Sequence, residues 1–386
     1  MLRNALVHAL LGLVLAAGTV VFTALPAAAA VTVSVSPALV EVEASPGGHG
    51  SARIRLTNRG DVAIQLAAEV GPYAEMEGRF AATDWLSVHP SVIPLDPGAS
   101  AQAAVEIAIP EGIQSGGRYA SIVFTIQPTG GVAEGTPLSG RVLVPVVMTI
   151  DGTGPLTAHP IVEHFAPILG PDGSVGFSAL VGDEGNVHTR IGGVVRVDDL
   201  ETGTSQSLTV APTGILPGST RLVSTADTLT LAPDHRYAAS VTFAAADGKQ
   251  EFDPIDQHVD FGLEPRLSIA SASVCSDPTA GLALATVIMN EADIGVEPGV
   301  HFEVSNDTGN RVIAGAPAAR TLSWPHEAMT ASMPLPEGLP PGAYTLRVVV
   351  DVAGQAPVEW QTPFSVEGDG EPEAAACLPS PSADGA

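Results

Sequence analysis

The chain runs to 386 residues, long enough for two or three domains but too long for one continuous core. It is 45% apolar yet only 4% aromatic, and its 41 glycines and 33 prolines interrupt it so often that long helices have little room. With 42 acidic against 16 basic residues, a formal charge of −26 and Lys249 as the sole lysine, it has no phosphate-neutralising surface, which excludes nucleic acid as a partner.

Residues 1–30 read as a signal peptide: Arg3 gives the positive start, residues 5–25 are apolar, and Ala28-Ala29-Ala30 offers small residues for cleavage. An uncleaved anchor is the alternative, because about 20 apolar residues can span a bilayer. No second long apolar run follows, so the mature chain is expected to lack a transmembrane segment and to be secreted or extracytoplasmic, associated with the cell envelope.

The first predicted domain, 31–152, opens on Val31, Val33 and Val35 alternating with polar residues. Pro37 then breaks the run before Leu39, Val40 and Val42, which predicts a strand that stops and changes sheet, since proline cannot donate to a central ladder. Ala52, Ile54 and Leu56 form the inner face of the next strand, with Arg53, Arg55 and Thr57 outward and a turn at Asn58-Arg59-Gly60-Asp61. The alternation returns at Ile64-Leu66, at Val105-Ile107-Ile109 and at Ile122-Phe124-Ile126, and Arg141 to Ile150 closes the unit.

The second domain, 153–264, is expected to carry strands at Val175-Phe177, Val194-Val197 and Ser207-Val210, with a hairpin turn at Asp247-Gly248. The third, 265–367, starts at Leu267 and Ile269, continues through Leu282-Ile288 and turns at Asn306-Gly309. From Gly368 to Ala386 the chain is acidic and without periodicity, and disorder is expected there. Tyr119, Tyr237 and Tyr344 each precede an alternating strand and recur roughly 100 residues apart, the size of one immunoglobulin-like sandwich, in which such a tyrosine bonds back to the preceding corner. The predicted fold is therefore all-β, a tandem of immunoglobulin-like β-sandwich domains.

The only cysteines, Cys275 and Cys377, are expected to form a disulfide in an exported chain. Hydrolase signatures such as Gly-x-Ser-x-Gly and Ser-x-x-Lys are absent from the sequence, and its ten histidines are scattered, with no His-x-x-x-His or Cys-x-x-Cys to suggest zinc. No cofactor is predicted. Calcium remains open at Asp172, Asp183, Asp198, Asp199, Asp253, Asp256 and Asp307, although none lies in an Asp-x-Asp-x-Asp-Gly loop and aspartate beside glycine also serves simply as a turn former. Tyr73, Phe80 and Trp85 lie in one stretch between strands, where exposed rings would stack on sugars and buried ones would pack beneath a long loop.

Two longer stretches carry a family resemblance. Trp85-Leu-Ser-Val-His-Pro-Ser-Val-Ile-Pro-Leu-Asp-Pro-Gly98 followed by Gly116-Gly-Arg-Tyr-Ala-Ser-Ile-Val-Phe124 resembles the pilus-chaperone-like domain that opens the WxL-interacting proteins of Gram-positive surfaces. Asp183-Glu-Gly-Asn-Val-His188, Gly193-Val-Val-Arg-Val197 and Gly214-Ile-Leu-Pro-Gly-Ser-Thr-Arg221 resemble the domain that follows it, so the likeness covers residues 31–264. The resemblance implies a non-catalytic protein, its first domain contacting peptidoglycan and its second another protein. The chain departs from that family in lacking its C-terminal membrane helix and basic tail and in adding a third domain. The function expected from the sequence is that of a binding or scaffolding protein contacting cell-wall polymer or another envelope protein. The alternatives are a chaperone-like module for exported subunits and a hydrolase with an unrecognised site.

Overall fold

The computed structural model describes residues 32–73, 76, 78–128, 140–246, 251–277, 281–318, 320–336, 339–366 and 375–376. The expected signal peptide, the Asp247-Gly248 turn and Cys377 lie outside the described residues. Among those described, regular structure is strand apart from two three-residue 3-10 turns, Gly78–Phe80 and Thr83–Trp85, so the fold is all-β. The chain forms two compact units: one takes the residues up to Gln114 with Arg118–Thr153, the other Ser115–Gly117 with Gly154–Ala386.

The first unit contains β1 (Val33–Ser36), β2 (Val40–Ala44), β3 (His49–Asn58), β4 (Ile64–Gly71), β5 (Leu86–His89), β6 (Val92–Leu95), β7 (Ser100–Ala108), β8 (Gly116–Pro128) and β9 (Gly140–Ile150). Two sheets of order β1-β3-β7-β5 and β2-β9-β8-β4-β6 enclose one core, in which Ile54, Leu56, Val105 and Ile107 of the first join Leu66, Phe124, Val146 and Met148 of the second. The proline-interrupted strand divides as its sequence predicts: β1 runs antiparallel to β3, with Val33 opposite Asn58, while β2 crosses to the other sheet and runs parallel to β9, with Val40 opposite Val146. The turn after β3 is organised by the fully buried Asn58, whose Nδ2 donates to the carbonyls of Val62 (2.8 Å) and Leu95 (3.1 Å) while its Oδ1 accepts from the Gly60 amide (3.0 Å). A buried amide with every group paired costs little and locks the register.

The second unit begins with β10 (Pro160–Leu169), β11 (Val175–Asp183), β12 (Thr189–Asp199), β13 (Ser205–Ile215), β14 (Thr220–Ser224), β15 (Tyr237–Ala245) and β16 (Ile255–Phe261). It continues with β17 (Leu267–Asp277), β18 (Gly281–Asn290), β19 (Gly295–Val296), β20 (Gly299–Asn306), β21 (Arg311–Gly315), β22 (Ala328–Pro334), β23 (Gly342–Asp351), β24 (Val358–Val366) and β25 (Ala375–Ala376). Four sheets result, ordered β14-β11-β10-β19, β13-β12-β15-β16, β22-β18-β17-β25 and β21-β20-β23-β24.

One apolar core runs through the whole unit, linking Phe177, Phe243 and Phe261 with Leu267, Ile294, Phe302 and Val348. The join is also made in the backbone, because β19 pairs parallel with the end of β10, Ile168 opposite Gly295 and Leu169 opposite Val296. Gly295 suits that approach: a Cβ there would lie 3.3 Å from the Ser323 carbonyl oxygen and 3.4 Å from that of Pro167, and would displace the end of the Ile168 side chain. Ala375 and Ala376, in the stretch expected to lack order, pair parallel with Cys275 and Ser276 at the edge of β17.

The recurring tyrosines are core residues. Tyr119 is fully buried, and Tyr237 and Tyr344 nearly so. The Tyr237 hydroxyl donates to the Ala232 carbonyl (3.0 Å) and accepts from the Ala232 amide (2.8 Å), and the Tyr344 hydroxyl donates to the Pro340 carbonyl (2.7 Å). Both close the corner before their strand, the structural role such tyrosines have in sandwiches.

Candidate functional site

The strand shift at Pro37 has a consequence for β9. Because β2 begins only at Val40, it pairs with Val146–Ile150 and leaves residues 140–145 without a strand partner, among the described residues, on the side away from β8. Residues 140–144 present an edge of about 17 Å with alternate N–H and C=O groups directed outward, and Pro145, which has no N–H, ends the stretch where β2 takes over. Val144 is buried in the core, while Arg141 and Leu143 face solvent, Leu143 at 46% exposure, and Leu39 is exposed just before β2 begins. The other edges of this sheet carry features that discourage pairing: β2 holds Glu41 and Glu43, and the four-residue β6 holds Pro94 within it, whereas the proline of the free half of β9, Pro145, stands at its end. The free half of β9 has no acidic residue at all, in a chain whose formal charge is −26.

The aromatic stretch between β4 and β5 packs around the start of β8. Phe80 lies 6.4 Å from the Tyr119 ring, Trp85 is half-buried against the core, and Tyr73 is half-buried. Arg79 sits 4.7 Å above Phe80 and Arg118 5.8 Å above Trp85. Burial pushes the Arg118 guanidinium below its ordinary value. Phe80 and Trp85 thus each carry an arginine over one face, while Tyr73 is half-buried before the stretch.

The seven aspartates expected as calcium candidates make different contacts, Asp198 and Asp199 being neighbours at the end of β12. Asp172 caps its own turn through the Ser174 amide and hydroxyl, Asp198 holds Arg196 and Ser205, and Asp256 accepts from Thr242. Asp253 and Asp307 are exposed. Asp183 is buried; its Oδ1 accepts the amides of His159 (2.9 Å) and Gly185 (2.8 Å), its Oδ2 is buried without a hydrogen-bond partner, and burial raises its pKa. His159 and His164 diverge around the bulge in β10, the first toward Glu184 (3.6 Å), the second toward Glu327 (3.3 Å) and the Trp324 ring.

Asp199 alone among the seven is joined by other ligand-type groups. The pairing of Asp199 with Tyr237 brings the end of β12 beside the start of β15, so that Asp199, Glu201 and His235 each offer a donor atom within 4.8 Å of the others. His235 Nδ1 lies 2.8 Å from Asp199 Oδ2, and Asp199 Oδ1 accepts the amides of Glu201 (2.9 Å) and Thr202 (3.0 Å). Burial acts most strongly on Asp199 and pushes its pKa up, but the bonds from His235, Thr202 and Glu201 outweigh it and bring the value down to about 2. The Asp199 bond in turn raises His235. Sequence reasoning missed this group, because Glu201 and His235 are separated by more than a strand and meet only through the β12–β15 ladder.

No family model matches the chain, and no curated protein matches it. Among solved structures it is similar to the YadV chaperone, at 13% identity and a TM-score of 0.34 over 59% of this chain and 98% of that one. It is also similar to the periplasmic chaperone SfaE (8%, TM-score 0.31, 58% of this chain and 98% of that one) and the E. coli chaperone DraB (11%, TM-score 0.31, 59% and 96%).

Proposed function

We propose that this is a non-catalytic binding protein of the bacterial envelope that takes an extended segment of another exported protein as an added strand along residues 140–145. The observation that carries the reading is the half-covered β9: the main-chain groups of residues 140–144 are available, Leu143 and Leu39 give apolar contact beside them, and that stretch of β9 holds no carboxylate of its own. Strand addition draws its affinity from main-chain hydrogen bonds and its selectivity from alternate side chains, which suits an edge with one outward leucine. A chaperone-like role and a scaffolding role both use this edge and differ in whether the partner is later released.

The test is amide hydrogen exchange on the purified protein with and without an exported partner, compared between wild type and Leu143→Asp. Binding by strand addition slows exchange across residues 140–144, the stretch that precedes the amide-less Pro145, and is lost in the variant, whose substitution is on an exposed position. Unchanged exchange at 140–144 with full binding retained by L143D would refute the reading. Retention on purified cell wall that is indifferent to Leu143 would favour the glycan-binding alternative.

A further inference from the structure

We infer that Asp199, Glu201 and His235 form a binding site for a first-row divalent metal ion of the zinc or manganese class. Their donor atoms already lie within 4.8 Å of one another, and metal bonds near 2.1 Å require neighbouring ligands about 3 to 3.5 Å apart. The adjustment falls on Glu201, which is exposed, while Asp199 and His235 are already 2.8 Å apart. The carboxylate positions are set by backbone: Asp199 Oδ1 is held by two amides, and Glu201 Oε2 accepts the Arg236 amide (2.8 Å). Bonds of this kind orient a ligand; Asp199 Oδ2 and His235 Nδ1, 2.8 Å apart and bonded to each other, would turn to the metal in place of that bond.

The nearest guanidinium does not compete for the site, because Arg236 directs its Nη1 to Asp293 (2.8 Å). One imidazole with two carboxylates selects against calcium, which prefers six to eight oxygens, and fits zinc or manganese with water in the remaining positions. The site has a structural purpose. It ties the turn after β12 to the corner closed by Tyr237, so an ion there would clamp the two strand ends and stabilise the second unit by mass action.

The inference is tested on full-length protein stripped of metal with a chelator and titrated separately with zinc, manganese and calcium chloride. Heat of binding and melting temperature are read for wild type, His235→Gln and Glu201→Gln. Wild type is expected to take up one zinc ion and melt at a higher temperature; H235Q should lose that uptake, and E201Q should bind at least about tenfold more weakly. Manganese is expected to broaden the NMR signals of the His235 ring before those of the other histidines. Zinc uptake that is equal in wild type and both variants, no uptake at millimolar zinc, or calcium bound as tightly as zinc each overturns the inference. Should H235Q fail to fold, the exposed-site variant E201Q decides it, with equal affinity counting against the site. None of these outcomes depends on β9, so this site and the strand-accepting edge stand or fall separately.

Discussion

Tyr237 offers the most discriminating perturbation of the fold. Its hydroxyl makes two bonds to one residue, donating to the Ala232 carbonyl and accepting the Ala232 amide, whereas the Tyr344 hydroxyl makes one, to the Pro340 carbonyl. Replacement by phenylalanine keeps the ring, which in Tyr237 stacks on Phe261 at 5.5 Å and in Tyr344 on Phe364 at 5.4 Å. The difference between the two variants therefore isolates the hydroxyl bonds. At about 1 kcal/mol for each bond, Y237F should cost about 2 kcal/mol and Y344F about 1 kcal/mol. For a cooperative unit of this size that corresponds to a drop in melting temperature of about 4 to 8 °C for Y237F and about half as much for Y344F. Differential scanning calorimetry on the single variants and on the double variant reads both shifts. A Y237F protein that melts with the wild type, or a Y344F protein that loses more than Y237F, would refute the corner assignment.

Three further outcomes are expected. Gly185→Ala should destabilise the second unit by at least about 1 to 3 kcal/mol in chemical denaturation, because its Cβ would lie 2.2 Å from the Thr157 carbonyl oxygen and 2.8 Å from Asp183 Oδ1, the first of which cannot rotate away. Asp183 should make stability fall as pH rises: burial lifts its folded pKa above the unfolded value near 3.9, so the carboxyl stabilises most when protonated and loses that contribution as pH climbs through the raised value. Asp183→Asn retains an acceptor for the amides of His159 and Gly185, and its melting temperature should exceed that of wild type at pH 8 and converge with it below about pH 4; a gap that widens on acidification would contradict this. We propose also that Cys275 is bridged to Cys377, because the β25 pairing sets Ala375 beside Cys275. Peptide mapping without reductant should recover the two cysteines together, and Cys275→Ser and C377S should cost equal stability, up to about 4 to 5 kcal/mol for so long a loop; separate free thiols would refute it.

Much of the fold could be read from local pattern. The inward set Ile54 and Leu56, the sheet change at Pro37, the turn at Asn58 and the buried tyrosines all follow from rules acting over a few residues: period-two alternation, a missing proline N–H, and the hydrogen-bonding reach of asparagine. The aromatic stretch gave two readings because a sequence does not reveal which rings share a face; Phe80 and Trp85 turned out to lie under Arg79 and Arg118.

By itself, then, the sequence determined that this chain is all-β, strongly acidic and built from alternating strands of small apolar residues. Tertiary structure decided which half of β9 is left uncovered, that β19 extends the sheet of β10, and that Asp199, Glu201 and His235 converge. The physical reason is the range of the forces involved. Side-chain alternation and turn geometry are settled between near neighbours, but strand partners are chosen across long loops by how whole faces pack, so open edges and convergent ligands exist only once the sheets have assembled.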